Sequence, residues 1–209
     1  MARLLVATSN PGKLAEIRGI LQHLPVTIAT LHELEPVAEP EETGTTFAEN
    51  ARLKALFYDT AAMVSAAPPR FTVAEDSGLV IDGLHGEPGV RSARFVRPDA
   101  TYPDRFSEIY RRLAGTPPHT WSARFICALA VVQAGTVVYE TTGTIEGRIA
   151  DAPSGTDGFG YDPIFYHPPP GRTLAEIGAA AKARVSHRGN AFRRLAVWLE
   201  ERLDERPVG

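Results

Sequence analysis

Apolar positions recur along the chain with two periods. Residues 3–8 (RLLVAT) are mostly apolar and bounded by turn residues, the mark of a buried strand. Ser9-Asn10-Pro11-Gly12-Lys13 follows, with Asn10 a good N-cap and Pro11 suited to the first helical position. Leu14, Ile17, Leu21 and Leu24 then repeat at helical spacing. The opening therefore predicts strand, tight polar turn and helix, with a second strand over 26–31. Residues 33–44 are acidic and irregular. Thr46-Phe47-Ala48-Glu49 spells a capping box, and helical patterning continues to about Met63. A Pro-containing loop covers 66–70. Residues 71–74 and 79–81 predict two strand pieces either side of Glu75-Asp76-Ser77-Gly78. Gly83, Gly86, Pro88, Gly89 and Pro98 make 83–98 a long ordered loop.

The second half alternates in the same way. A helix is predicted over 103–113, with Phe106, Ile109, Tyr110 and Leu113 on one face. Residues 121–132 and 136–142 predict a hairpin around Gln133-Ala134-Gly135, and 145–149 extends or follows it. A glycine-containing loop spans 152–166. Thr173-Leu174-Ala175-Glu176 is a second capping box, expected to open a short helix. The last helix is expected from about Asn190 to Leu203, with Phe192, Leu195, Leu199 and Leu203 inside. No internal repeat or interdomain linker interrupts this. The pattern predicts one α/β domain over 1–209, with a mixed sheet and two lobes around a cleft.

Composition narrows the classes. A hydrophobic fraction of 44% with a formal net charge of −3 excludes a disordered chain and lacks the basic surplus of a nucleic-acid polymer binder. The single cysteine, Cys127, excludes an intrachain disulfide and a four-cysteine zinc site. No apolar run approaches the roughly 18 residues of a membrane span, and the stretch 4–7 is too short for a signal peptide, so cytoplasmic residence is expected. The 22 basic residues include only three lysines, Lys13, Lys54 and Lys182, so a lysine is informative here. Its compact charge suits a phosphate oxygen.

Four stretches could carry chemistry. The strand-to-helix turn over Thr8, Ser9, Asn10, Pro11, Gly12 and Lys13 offers backbone N–H groups and a positive helix end to a phosphate, although it is not a Walker A loop. An ordinary capped turn is the plainer alternative. The acids Glu41, Glu42, Glu75 and Asp76 could hold Mg2+, which takes one or two carboxylates with phosphate and waters. Alone, Glu41 and Glu42 read more simply as solvated surface acids, Asp76 as a turn residue and Glu49 as a cap. In Gly158-Phe159-Gly160-Tyr161-Asp162-Pro163 the glycines admit close approach and an aromatic ring could stack on a nucleobase. Asp162 could accept from a base or ribose, or hold another site residue. From residue 178 to 194 there are five Lys or Arg and no acid, including Lys182 and Arg188 beside His187; a solvated helix face is the plainer reading of that patch.

Thr8-Ser9-Asn10-Pro11-Gly12-Lys13, Glu42-Thr43-Gly44 with Phe47 and Glu49-Asn50-Ala51, Glu75-Asp76-Ser77-Gly78-Leu79, Gly89 with Ser92-Ala93-Arg94, Gly158 to Pro163 and Ser186-His187-Arg188-Gly189 occur in this order. Together they resemble the inosine/xanthosine triphosphate pyrophosphatase family over about residues 3–203. The resemblance implies a homodimeric α/β enzyme with a long central mixed sheet flanked by helices and a nucleotide cleft between two lobes. It implies Mg2+-dependent cleavage of ITP, dITP and XTP to the monophosphate and pyrophosphate, with Mn2+ as a substitute, which clears deaminated purines. By resemblance, residues 8–13 hold the triphosphate. Asp76 is general base and metal ligand, with Glu41 or Glu42 as the second ligand, and Ser77 touches substrate. Phe159, Gly160, Tyr161 and Asp162 wall the nucleoside site, and Lys182, His187 and Arg188 meet phosphate and the 6-oxo purine edge. Ser9, Glu75 and Asp157 depart from the common pattern, and the loop 66–70 is longer than usual. A pyrophosphatase for modified pyrimidines and a non-catalytic nucleotide-binding regulator are the rival readings.

Overall fold

The computed structural model describes residues 1–65, 67–169 and 171–204; Ala66 of the expected 66–70 loop lies outside them. The described strands are β1 (Ala2–Val6), β2 (Val26–Thr30), β3 (Phe71–Ile81), β4 (Ser122–Gln133), β5 (Thr136–Ile149), β6 (Phe165–His167) and β7 (Arg172–Thr173). They form a seven-stranded sheet in the order β2-β1-β3-β4-β5-β6-β7. The sheet is mixed. β1 runs parallel to β2 and β3, with Leu4 opposite both Ile28 and Phe71, whereas β6 is antiparallel to β5 and β7. The helices are α1 (Pro11–Leu21), α2 (Phe47–Ala62), α3 (Tyr102–Leu113), α4 (Gly178–Val185) and α5 (His187–Asp204).

The chain divides into two units, each with its own core. The first comprises Met1–Asp76, Cys127–Gly143 and Arg188–Gly209. Its core joins Leu4 and Val6 of β1, Ile17 and Leu21 of α1, Phe71 and Val73 of β3, Leu129 and Val131 of β4, and Phe192, Leu195 and Leu199 of α5. The helical stripes of α1 and α5 are buried as their periodicity requires. β1 stops at Val6 because the Thr8 N–H bonds back to the Val6 carbonyl at 3.0 Å. Ala134 and Gly135, with φ of 49° and 76°, make the two-residue left-handed turn between β4 and β5.

The structure corrects one expectation here. β3 is continuous through Glu75-Asp76-Ser77-Gly78 instead of breaking there. Both acids are buried but paired with cations, so the strand can keep them inside.

The second unit comprises Ser77–Ile126 and Thr144–His187. Leu79, Ile81, Phe106, Ile109, Leu113, Trp121, Phe125, Ile149 and Phe165 are in its core. The loop over 83–98 contains short 3-10 turns and is pinned by Arg105, which donates to the carbonyls of Ala93 at 2.6 Å and Phe95 at 3.3 Å.

Two further expectations fail. Thr173-Leu174-Ala175-Glu176 opens no helix: Thr173 ends β7, its hydroxyl donates to the Ser154 carbonyl, and α4 starts only at Gly178, whose φ is +70°. The Glu176 carboxylate accepts the Thr173 N–H at 2.7 Å, so a turn uses the box's residues. Nor is the basic patch a solvated face. Lys182, His187 and Arg188 are 4%, 5% and 2% exposed, and α5 begins at His187, three residues before the predicted start.

Candidate active site

In the first unit β1 lies between β2 and β3, so the chain leaves β1 at a point where strand order reverses. In parallel α/β sheets, ligands gather beyond the carboxyl ends of strands at such points. The turn there is well formed. The Asn10 side chain accepts from the N–H groups of Gly12 at 2.9 Å and Lys13 at 3.1 Å, Pro11 occupies the first turn of α1, and Thr8 Oγ1 accepts the Asn10 N–H. Ser9, Asn10 and Pro11 are exposed, with Thr8, Gly12 and Lys13 half-buried.

Alternation along β3 sends Glu75 and Asp76 to opposite faces. Glu75 Oε1 takes the Lys13 ammonium at 2.6 Å and the Arg188 guanidinium at 3.5 Å, while the Cys127 thiol donates to Oε2 at 3.3 Å. Arg188 also pairs with Glu16 at 2.6 Å. Burial pushes the Glu75 carboxyl up, but Lys13 and Arg188 outweigh it and hold the group well below the usual glutamate range. Burial drives the Cys127 thiol well above its ordinary value, so it stays protonated and a donor.

On the other face, α2 supplies the partners. Asn50 Nδ2 donates to Asp76 Oδ2 at 3.1 Å, and Lys54 Nζ reaches Asp76 Oδ1 at 3.3 Å and Glu42 Oε1 at 2.9 Å. Two carboxylates thus share one cation. Asn50 Oδ1 accepts the Gly44 N–H at 2.8 Å, which ties the acidic segment to the same helix. α2 is held by the predicted box, with Thr46 accepting from the Glu49 N–H and Glu49 accepting from Thr45 and Thr46. Burial raises the Asp76 carboxyl above the ordinary aspartate value; Lys54 opposes this and Glu42 adds to it. A carboxylate tuned upward is a stronger base towards a water. Burial alone would lower the Lys54 ammonium, but Asp76, Glu75 and Glu42 together raise it. Glu41 is exposed and shares none of these contacts, which separates the two candidates: Glu42, not Glu41, stands with Asp76.

The second unit holds a different constellation. Asp162 Oδ2 accepts the Phe159 N–H at 2.8 Å and the Lys182 ammonium at 2.5 Å, and that ammonium lies 4.4 Å from the Phe159 ring centroid. Gly158, at φ +75°, is required here: a Cβ would collide with the Asp162 carboxylate. Gly160 is half-buried in the same loop. The Tyr161 hydroxyl donates to the Ser92 carbonyl at 2.8 Å, and its ring packs edge-on against Tyr102. His187 stacks on Phe125, with centroids 4.7 Å apart and planes 14° from parallel. Ser77 is half-buried on β3.

The predicted residues therefore fall into two groups, Thr8 to Lys13 with Glu42, Asp76 and Arg188 in one unit, and Ser77, Phe159 to Asp162, Lys182 and His187 in the other. Each lysine of the chain meets a carboxylate of its own group. Sequence reasoning did not single out Asn50, Lys54, Glu16 and Cys127 as members. The rarity of lysine and the i, i+4 spacing of Asn50 and Lys54 were signals for the first two.

Comparison with known proteins gives concordant matches. A family model described as the Ham1 family matches residues 4–198. A protein of Listeria monocytogenes serotype 4b named dITP/XTP pyrophosphatase is 41% identical over 205 residues, covering 98% of each chain. One of the same name from Geobacter sulfurreducens is 43% identical, over 92% of this chain and 94% of its own. Among solved structures, a HAM1 protein from Coxiella burnetii superposes with a TM-score of 0.85 at 35% identity, covering 96% of this chain and all of that one. The Staphylococcus aureus Ham1 protein gives a TM-score of 0.82 at 34% identity, covering 96% of this chain and 99% of its own.

Proposed function

The chain belongs to the Ham1 family, and from that premise we propose that it hydrolyses deaminated purine nucleoside triphosphates, dITP, ITP and XTP, to the monophosphate and pyrophosphate. The observation that carries this reading is the Asp76 carboxylate, buried on β3, gripped by Asn50 and Lys54 of α2 and sharing the Lys54 ammonium with Glu42. Hard oxygen donors that already converge on one positive charge suit Mg2+, which takes one or two carboxylates and completes its shell with phosphate and water. Among the described residues no group of three or more His, Cys, Asp or Glu side chains is arranged to hold a metal, so substrate oxygens and water would complete the shell. Glu42 and Asp76 would hold the ion, with Mn2+ able to replace it. Bound there, it neutralises charge on the phosphate oxygens.

The chain's own residues do the rest. Asp76 orients a water and accepts its proton as the water attacks the α-phosphorus, and pyrophosphate leaves. The 8–13 turn, through the positive end of α1 and its exposed polar side chains, and the Lys13 ammonium bind the triphosphate and stabilise the charge that develops on the leaving group. Phe159 offers its ring to the base, with Lys182 and Asp162 fixing that ring and its loop. His187 donates towards the 6-oxo group of hypoxanthine or xanthine. Adenine presents a 6-amino donor instead, which leaves a buried donor unpaired at about 1–3 kcal/mol. Homodimerisation and a cytoplasmic setting belong to the same reading. Among the described residues no helix is long and apolar enough to cross a membrane.

Hydrolysis of ITP in 18O-labelled water tests the chemistry. Label in the monophosphate, with pyrophosphate as the only phosphate product, is expected. Orthophosphate release, or label in pyrophosphate, would contradict attack at the α-phosphorus.

A further inference from the structure

Glu75 has no part in the reaction just described, yet its side chain is 2% exposed on β3 and meets three donors. Lys13 and Arg188 share its Oε1, and Cys127 donates to Oε2. Arg188 in turn holds Glu16, which sits one turn after Lys13 on the same face of α1. Cations and carboxylates thus alternate from Lys13 through Glu75 and Arg188 to Glu16, and both ends of this chain of charges stand on the first turns of α1. We propose that Glu75 is a positioning residue: it fixes the Lys13 ammonium, and with it the 8–13 turn, in the place from which they take the triphosphate.

Three physical points carry this. A lysine has four rotatable side-chain bonds and loses much rotamer freedom when ordered. A carboxylate that orders it beforehand removes that cost from ligand binding. Without the Glu75 charge, Arg188 keeps Glu16 but Lys13 loses the carboxylate it meets at 2.6 Å, and Lys13, at 20% side-chain exposure, has solvent to move into whereas Arg188 at 2% has not. Finally, the alternation of β3 turns Glu75 away from Asp76; its charge is felt by Lys54 through space, but its contacts are with Lys13, Arg188 and Cys127.

The role rests on the triphosphate reading above, and its test separates the two. Wild type, Glu75→Gln, Lys13→Ala and the double variant are compared by kcat and KM for ITP and by calorimetric titration with inorganic tripolyphosphate. Glu75→Gln is expected to weaken tripolyphosphate binding and raise KM about tenfold, the scale of a lost hydrogen bond to a charged group, with a smaller change in kcat. In the Lys13→Ala background the same change should cost little, because the group it acts through is gone. Glu75→Asp should recover part of the loss. Equal losses in both backgrounds, or a Glu75→Gln variant that binds tripolyphosphate like wild type, would overturn the role. So would a wild type that does not bind tripolyphosphate. If Glu75→Gln does not fold by circular dichroism, the cycle is run with Glu75→Asp and read by the same coupling. A wild type that binds tripolyphosphate but cleaves no nucleotide would defeat the functional reading and leave the titration to decide on Glu75.

Discussion

The two constellations handle charge in different ways. In the first unit, carboxylates and cations alternate on both faces of one strand: Glu75 with Lys13 and Arg188, Asp76 and Glu42 with Lys54. In the second, the ion pair of Lys182 and Asp162 lies against an aromatic ring, Phe159, with Tyr161 and Tyr102 packed nearby and His187 stacked on Phe125. A dense array of alternating charge can accept a polyanion and a cation together, because each has partners to exchange with. A buried pair packed against an aromatic ring holds that ring in place. Under the proposed function, the first set would take the triphosphate chemistry and the second the recognition of a planar base.

Asp76→Asn should break the first set most severely. It keeps the shape and removes the base, and kcat for ITP should fall by about 10²–10⁴-fold with an unchanged circular dichroism spectrum. A variant within tenfold of wild type would end Asp76's role as base. Removal of divalent cations with EDTA should silence turnover, and added Mg2+ should restore it, as a pyrophosphate-release assay reports.

Phe159→Ala sharpens the contrast from the other side. Stacking on an aromatic ring is worth about 1–3 kcal/mol, so KM for ITP should rise by about 5–150-fold while inhibition by tripolyphosphate stays as in wild type. An equal loss of tripolyphosphate inhibition would merge the two roles. Gly158→Ala should act in the same direction but more weakly, several-fold in KM, by driving the Asp162 carboxylate off the Phe159 N–H.

The smallest effect concerns the scaffold of the first set. Thr46→Ala removes the cap of α2 and should cost about 1 kcal/mol, or about 2–4 °C in Tm. Its partner Glu49 adds a pH signature. The Thr45 hydroxyl and the N–H groups of Thr45 and Thr46 lower the Glu49 carboxyl, so its contribution is complete above the ordinary glutamate value and lost as pH falls through the folded value. The Tm difference between wild type and Glu49→Gln should therefore shrink on acidification.

Much of this was legible in the sequence where the cause is local. Asn10-Pro11 and the Thr46–Glu49 box set helix starts through bonds between near neighbours, and the structure has them as predicted. The α/β class with its mixed sheet followed from the alternation of periods. What was not legible depends on residues far apart. Glu75 and Asp76 looked like strand breakers because the cations that let them stay inside come from α1, α2 and α5. Thr173 and Glu176 have the spacing of a helix start, but Ser154 claims the threonine hydroxyl. The basic stretch around Lys182 and Arg188 looked solvated because Asp162, Glu16 and Glu75 are distant in sequence. That Glu42 shares Lys54 with Asp76 likewise depends on residues far apart in sequence.

The most direct test of the account is pyrophosphate release from dITP, ITP, XTP, GTP, ATP and dTTP, each with Mg2+ and with EDTA. The account predicts Mg2+-dependent release from dITP, ITP and XTP, with little from ATP and dTTP, while GTP reports on contacts at the 2-position of the base. Preferred cleavage of ATP or dTTP, or release that persists in EDTA, would contradict it.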